Sequence, residues 1–182
     1  MTLSAVRIEA DRIVLRKSVD ADRERLIELR TDPEVGAYIG GPSTREAVER
    51  RIDEVGMAKL TAAAGLYVIA DQDTDTFLGT MQFMRRAADQ PGHLTEAADE
   101  LEIGYLLHRS AWGVGYATEA ATAILRAGAA ELPDEPVILI TQAANTRSRR
   151  LATRLGFQLV KTFEAYDAEQ TLSAADLRSF QA

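Results

Sequence analysis

Residues 101–130 place the tightest limit on how this chain folds. Leu101-Glu102-Ile103-Gly104-Tyr105-Leu106-Leu107 reads as a strand, and residues 117–130 read as a helix burying Ala120, Ile124, Leu125 and Ala129. Between them lies Trp112-Gly113-Val114-Gly115-Tyr116-Ala117-Thr118-Glu119-Ala120. Glycines at 113 and 115 remove two Cβ atoms, so the backbone can turn tightly and approach a neighbour closely. A strand feeding a helix through such a turn commits the chain to a sheet with helices packed on it.

The flanking segments agree. Arg12-Ile13-Val14-Leu15-Arg16 alternates, carries β-branched residues and reads as a strand. Asp20 can cap a helix reaching Arg30, with Leu26, Ile27 and Leu29 inward, ended by Asp32-Pro33. Ser43-Thr44-Arg45-Glu46 has capping-box spacing and predicts a second helix to about residue 64, before Gly65. Residues 66–71 and 77–84 read as two strands of a hairpin, and 87–98, with Pro91 and Gly92, as a loop. Val137-Ile138-Leu139-Ile140 is the unbroken apolar run of a strand covered on both faces. Asn145 can cap a helix that buries Leu151 and Leu155 and stops at Gly156. Residues 157–166 are expected to be the last long strand. The tail at 171–180 stays open between a strand at its start and a helix from Ser173-Ala174-Ala175-Asp176. Hairpins early and strand–helix–strand late predict an α/β (α+β) fold, a mixed sheet flanked by helices, as a single domain over 1–182.

Composition narrows the function. With 182 residues, 46% hydrophobic and 27% charged, the chain can bury a core and still carry a cleft. No apolar run approaches the roughly 18 residues of a membrane span, and residues 1–10 lack the basic and apolar blocks of a signal peptide. A cytoplasmic setting, without membrane association, is therefore expected. The absence of cysteine excludes disulfides and thiolate metal sites, and two histidines do not make a histidine metal cluster, so no metal is expected. The net charge of −7, from 28 acidic and 21 basic residues, disfavours nucleic-acid binding through a basic face. Such a charge either keeps the protein soluble or attracts cationic acceptors such as polyamines, aminoglycosides and basic protein tails.

Successive N–H groups in the 112–117 turn would point into a concavity at a helix N-terminus, where the helix dipole favours an anion. A diphosphate could be held there by backbone alone. The other reading of such a turn is simple packing. Rival nucleotide motifs fit worse: no glycine–lysine pair exists for a Walker loop, and the dinucleotide fingerprint lacks its third glycine.

The spacing W-x-x-G-x-A at Trp112, Gly115 and Ala117, preceded by E-I-G-Y-L-L and followed by T-E-A, resembles the acetyl-CoA-binding turn of the GNAT superfamily of N-acetyltransferases. That superfamily usually writes it Q/R-x-x-G-x-G/A. The aromatic first position and the string W-G-x-G-Y-A-T-E-A look like the branch containing the ribosomal-protein alanine N-acetyltransferases. Asn145-Thr146-Arg147-Ser148-Arg149-Arg150-Leu151-Ala152-Thr153-Arg154-Leu155-Gly156-Phe157 is similar to the superfamily's N-x-x-[SA]-x-x-L-x-x-x-L-G-F element. The resemblance implies a largely antiparallel twisted sheet with a splayed central strand. It implies acetyl-CoA held by Trp112, Gly113, Val114, Gly115, Tyr116, Ala117 and Thr118, by backbone at Leu106 and Leu107, and by Asn145.

Site chemistry follows from the same resemblance. Many relatives carry a tyrosine, thought to protonate the departing thiolate, where this chain has Ala152. Ser148, one helical turn earlier, is proposed to do that in the ribosomal-protein branch; a capping or surface serine is the other reading. Glu102 is the candidate base for the attacking amine, with Glu100 as runner-up or acceptor contact, and a backbone N–H near Leu106 is the candidate oxyanion donor. Tyr38 and Phe83 are candidates to line the acceptor pocket. The expected function is acetyl transfer to a primary amine, a peptide N-terminus or a small molecule, by direct attack in a ternary complex. The alternatives are an aminoglycoside-type antibiotic acetyltransferase and a non-catalytic acyl-CoA-binding regulatory module. A homodimer is compatible with the sequence, which does not encode oligomeric state legibly.

Overall fold

The computed structural model describes residues 2–97 and 99–181. Met1, Ala98 and Ala182 lie outside the described residues, so the loop expected at 87–98 is observed over 87–97. In chain order the elements are β1 (Ile8–Glu9), β2 (Ile13–Arg16), α1 (Arg23–Thr31), α2 (Pro33–Gly36), α3 (Arg45–Val55), α4 (Met57–Leu60), β3 (Leu66–Asp71) and β4 (Phe77–Arg85). There follow β5 (Leu101–Leu107), α5 (Tyr116–Glu131), β6 (Pro136–Gln142), α6 (Thr146–Arg154), β7 (Gln158–Ala165) and β8 (Ala168–Asp176). Among the described residues no helix is long and apolar enough to cross a membrane.

The strands form one eight-stranded sheet in the order β1-β2-β3-β4-β5-β6-β8-β7. Every neighbouring pair is antiparallel except β5 with β6. β5 pairs with β4 along its whole length, from Arg85↔Leu101 to Gly79↔Leu107. It pairs with β6 only at Leu101↔Val137 and Glu102↔Ile138, while β6 continues against β8 to Gln142↔Gln170. The two central strands therefore part after Glu102 and open a wedge in the sheet. This is the splayed strand that the family resemblance implies.

Helix α5 covers one sheet face, burying Ala120, Ile124, Leu125, Gly128 and Ala129. A Cβ on Gly128 would come within 2.7 Å of the Phe83 ring, so glycine here lets helix and sheet approach closely. Burying α5 in this way is driven by the removal of apolar surface from water, at about 25 cal/mol per Å². α1 and α3 pack through Ile27, Val48 and Ile52. Buried Arg16 ties β2 to Asp22 at the start of α1 (2.8 Å) and to Asp75 in the β3–β4 turn (2.6 Å).

Two expectations need correction. The second helix does not run to residue 64: Gly56, at φ 84°, breaks it after Val55, and only the short α4 follows. The last long strand is not 157–166. β7 turns at Tyr166 and Asp167, both with positive φ, into β8, and among the described residues one 3-10 turn follows it. β8 hides its period because Gln170, Thr171, Leu172 and Ser173 are all buried, polar and apolar alike. The Gln170 amide donates to the Ala165 and Ala168 carbonyls, and the Thr171 hydroxyl to Thr141, which makes burial of these polar groups tolerable.

Candidate active site

An open cleft of about 1810 Å³ runs from the glycine turn, through the β5–β6 wedge, to α1 and α3. Its central wall is β5. The Glu100 carbonyl accepts from Arg86 N–H on the β4 side (3.0 Å), and His108 N–H donates to the Leu78 carbonyl on that side (2.8 Å). Backbone groups alternate in direction along a strand, and the β4–β5 register is unbroken between these bonds. The even residues, Leu106 included, thus spend their backbone groups on β4. Ile103, Tyr105 and Leu107 turn theirs into the wedge. The backbone donor expected near Leu106 is therefore corrected to Tyr105 and Leu107; Leu106 offers the cleft its side chain only. The Leu107 carbonyl already accepts from the Trp112 indole N–H at 2.8 Å.

The turn beyond β5 has the conformation its glycines permit. Gly113 and Gly115 have φ 78° and 94°, where L side chains are strained. A Cβ on Gly113 would meet nothing within 4 Å, so packing does not account for that glycine. No side chain caps α5, and among the described residues no group accepts from the N–H groups of Tyr116, Ala117 and Thr118. Open space beside uncapped amides fits a diphosphate. The turn is braced from outside: Glu119 accepts from Arg12 N–H at 2.6 Å and from the Arg12 guanidinium, which also donates to the Val114 carbonyl at 3.1 Å. Glu119 is thus a strut and no mere dipole partner.

Opposite the turn stands α6. The Asn145 side-chain oxygen accepts from Ser148 N–H at 3.2 Å, so Asn145 is an N-cap with its amide nitrogen still available. Ser148 is buried yet lines the cleft, whereas Ala152 belongs to the core. The Tyr105 phenol lies beside the Ser148 hydroxyl. Burial pushes this phenol above its ordinary value, and Ser148 opposes that shift. Sequence reasoning missed Tyr105 as a site residue, treating it only as a letter of the E-I-G-Y string. The signal available was its period-two placement on the strand flanking the turn.

On the other side of β5 the carboxylates separate. Glu102 lines the cleft, with one oxygen held by the buried Arg86 guanidinium at 2.8 Å. Glu100 is corrected: it is no part of the cleft. Its carboxylate takes His93 Nδ1 at 2.7 Å and the N–H groups of Leu94 and Thr95 at 2.6 and 2.9 Å, stapling the loop. Phe83 is corrected too, since it is 0% exposed beneath α5 and cannot reach a ligand. Tyr38 is exposed and lines the cleft.

Residues 12–158 match the family model for an acetyltransferase (GNAT) domain, which is most of the chain. The chain belongs to the GNAT acetyltransferase family. It is similar to the uncharacterized N-acetyltransferase p20 of Bacillus licheniformis, with 28% identity over 150 residues that cover 81% of this chain and 80% of p20. In fold it resembles a GNAT-family acetyltransferase from Bacillus anthracis, with TM-score 0.75 at 23% identity, covering 94% of this chain and 98% of that one. It also shares the fold of RimL, a ribosomal L7/L12 alpha-N-protein acetyltransferase in complex with coenzyme A, with TM-score 0.71 at 16% identity over 95% and 99% of the two chains. This GNAT protein is an acetyl-CoA-dependent acetyltransferase.

The charge of the GNAT cleft opposes that of the molecule. Among its lining residues are six arginines and two glutamates, in a chain of net charge −7. Both glutamates are occupied, Glu102 by Arg86 at 2.8 Å and Glu34 by Arg109 at 2.9 Å. At the donor end Arg147 stacks on the Trp112 ring at 4.6 Å, and Arg154 donates to Thr118 at 3.2 Å. Arginine on α6 facing uncapped amides on α5 suits a polyanionic donor.

Proposed function

We propose that the enzyme moves the acetyl group of acetyl-CoA onto a primary amine, a peptide N-terminus or a small molecule, by direct attack within a ternary complex. The observation that carries this is the wedge. It opens between the glycine turn with its uncapped amides and a second, separate half of the cleft, with Glu102 reaching it from one face of β5 and Tyr105 with Ser148 from the other. Acetyl-CoA supplies the thioester. The chain orients it with the glycine-turn amides, with the Leu107 backbone, and with the Asn145 amide, while the Tyr105 N–H serves the carbonyl oxygen in oxyanion-hole fashion.

Glu102 accepts the amine's proton, directly or through water, from the oxygen that Arg86 leaves free. The C–N bond forms and the C–S bond breaks. The sulfur takes a proton from Ser148, which the neighbouring Tyr105 phenol can replenish. There is no cysteine to carry a covalent acetyl group. A polycationic acceptor of the aminoglycoside type suits this cleft poorly, because its net lining charge is positive.

The test is single-turnover transfer from labelled acetyl-CoA to a panel of amines, with wild type, Glu102→Gln and Ser148→Ala compared. Each variant should transfer more slowly while quenching or enhancing Trp112 fluorescence with acetyl-CoA as wild type does. Label retained on the protein after CoA release would sink direct attack. Variants as fast as wild type would sink the residue roles.

A further inference from the structure

The donor explains the arginines on α6, but it does not explain those on α1 and α3. The other arginines of the two helices that face the cleft's far half are mostly spent on neighbours. Arg23 pairs with Asp53 at 2.8 Å, Arg25 with Glu28 at 2.7 Å, and Arg45 with Glu24 and Glu49. Arg30, at the end of α1, and Arg51, on α3, line the cleft, are exposed and form no ion pair among the described residues. Glu34 is the nearby cleft carboxylate, and Arg109 holds it at 2.9 Å. The same wall offers apolar surface at Val35, Tyr38 and Ile39. Two unspent guanidiniums beside apolar surface, lining the same cleft as Glu102 and on the sheet face where Leu106 packs against α1, call for a ligand with an anion at one end and an amine at the other.

Resting on the acetyltransferase reading above, we infer that the acceptor is a primary amine carrying a carboxylate and an apolar body, of the amino-acid type. Arg30 and Arg51 take the carboxylate while Glu102 receives the amine. Guanidinium forks match carboxylate oxygens in pairs, and an oriented carboxylate fixes which way the amine points. A free amino acid and a peptide with an acidic residue near its N-terminus share this chemistry, and the experiment separates them.

The experiment measures kcat/KM for matched pairs. Leucine and phenylalanine are compared with leucinamide and phenylalaninamide, and peptides with aspartate at their second position with the same peptides carrying asparagine. The measurement is made on wild type, Arg30→Gln, Arg51→Gln and the double variant. Wild type should prefer the carboxylate member by roughly tenfold or more, the scale of one hydrogen bond to a charged group. Each variant should erode that preference, and the double variant should abolish it, with the Trp112 response to acetyl-CoA unchanged as the readout of folding and donor binding. Preference in the amino-acid pairs supports a metabolite acceptor, and preference confined to the peptide pairs supports the same carboxylate contact made by a protein. If amides are acetylated as fast as acids, or the variants keep the wild-type ratio, the inference falls while the acetyltransferase reading stands. If acetyl-CoA binds and no amine of either kind is acetylated, both fall together.

Discussion

At the scale of single residues, the site rests on atoms whose partners are already assigned and on those left over. Glycine 113 is the clearest case. Its φ of 78° needs glycine, but no neighbour needs its missing Cβ. Gly113→Ala should therefore weaken acetyl-CoA binding, by strain and by a methyl placed in the diphosphate space, while apparent stability falls by no more than about 1–2 kcal/mol. Titration of Trp112 fluorescence alongside thermal melts checks this; a stability loss with unchanged affinity would return the turn to a packing role. Ser148 is the complementary case, a buried hydroxyl open only to the cleft and next to a phenol whose deprotonation burial disfavours. Ser148→Ala should lower kcat by about 10²-fold, the lower end for a general acid. Tyr105→Phe should lower it less, because the phenol reaches the departing sulfur only through Ser148; single-turnover rates of the two variants check that order.

At the scale of elements, each functional segment is held by a contact with its own thermodynamic signature. Asn145 caps α6, and removing a side-chain cap costs about 1 kcal/mol. Asn145→Ala should thus lower stability by that amount. Asn145→Asp keeps the accepting oxygen but exchanges the amide donor for a negative charge, so acetyl-CoA affinity should fall with the melting temperature nearly intact. The loop after β4 depends on Glu100. Burial alone would raise this carboxyl, but His93 and the amides of Leu94 and Thr95 hold it below its ordinary 4.5. Because the folded value is the depressed one, the staple's stabilisation is complete above pH 4.5 and fades as pH falls through the lower folded value. Glu100→Gln should flatten the acid side of a plot of melting temperature against pH and leave neutral-pH transfer largely unchanged, since Glu100 does not line the cleft.

For the whole molecule, the distribution of charge matters more than its sum. The chain carries −7, yet its cleft is lined by six arginines and two already paired glutamates. A net-charge argument would have the protein repel coenzyme A at long range. The local field of the cleft acts at distances below the Debye length, about 8 Å at physiological ionic strength, and should win. The Kd for acetyl-CoA should accordingly rise with added salt, as measured by titration from low to high ionic strength. Indifference to salt would mean that the α6 arginines do not touch the phosphates.

What the sequence determined alone is what is encoded locally. Glycines 113 and 115 permit a left-handed turn that other residues would strain, and Leu101–Leu107 followed by an apolar-faced helix marks the strand and helix it joins. These patterns were legible because backbone conformation and side-chain period depend on neighbours a few residues away. The break at Gly56 was available to the same reasoning and was overridden by helical propensity on both sides of it. Tertiary structure alone decided the rest. Whether Leu106 or Tyr105 turns its backbone into the wedge depends on the register with β4, an element some twenty residues earlier. Whether Glu100 or Glu102 is open to the cleft depends on where the His93 loop folds back, and whether Phe83 is rim or core depends on the closeness of α5 at Gly128. Composition counted the arginines, but only the pairing seen in the folded chain shows that Arg30 and Arg51, the cleft-lining arginines of α1 and α3, keep their charge for a ligand.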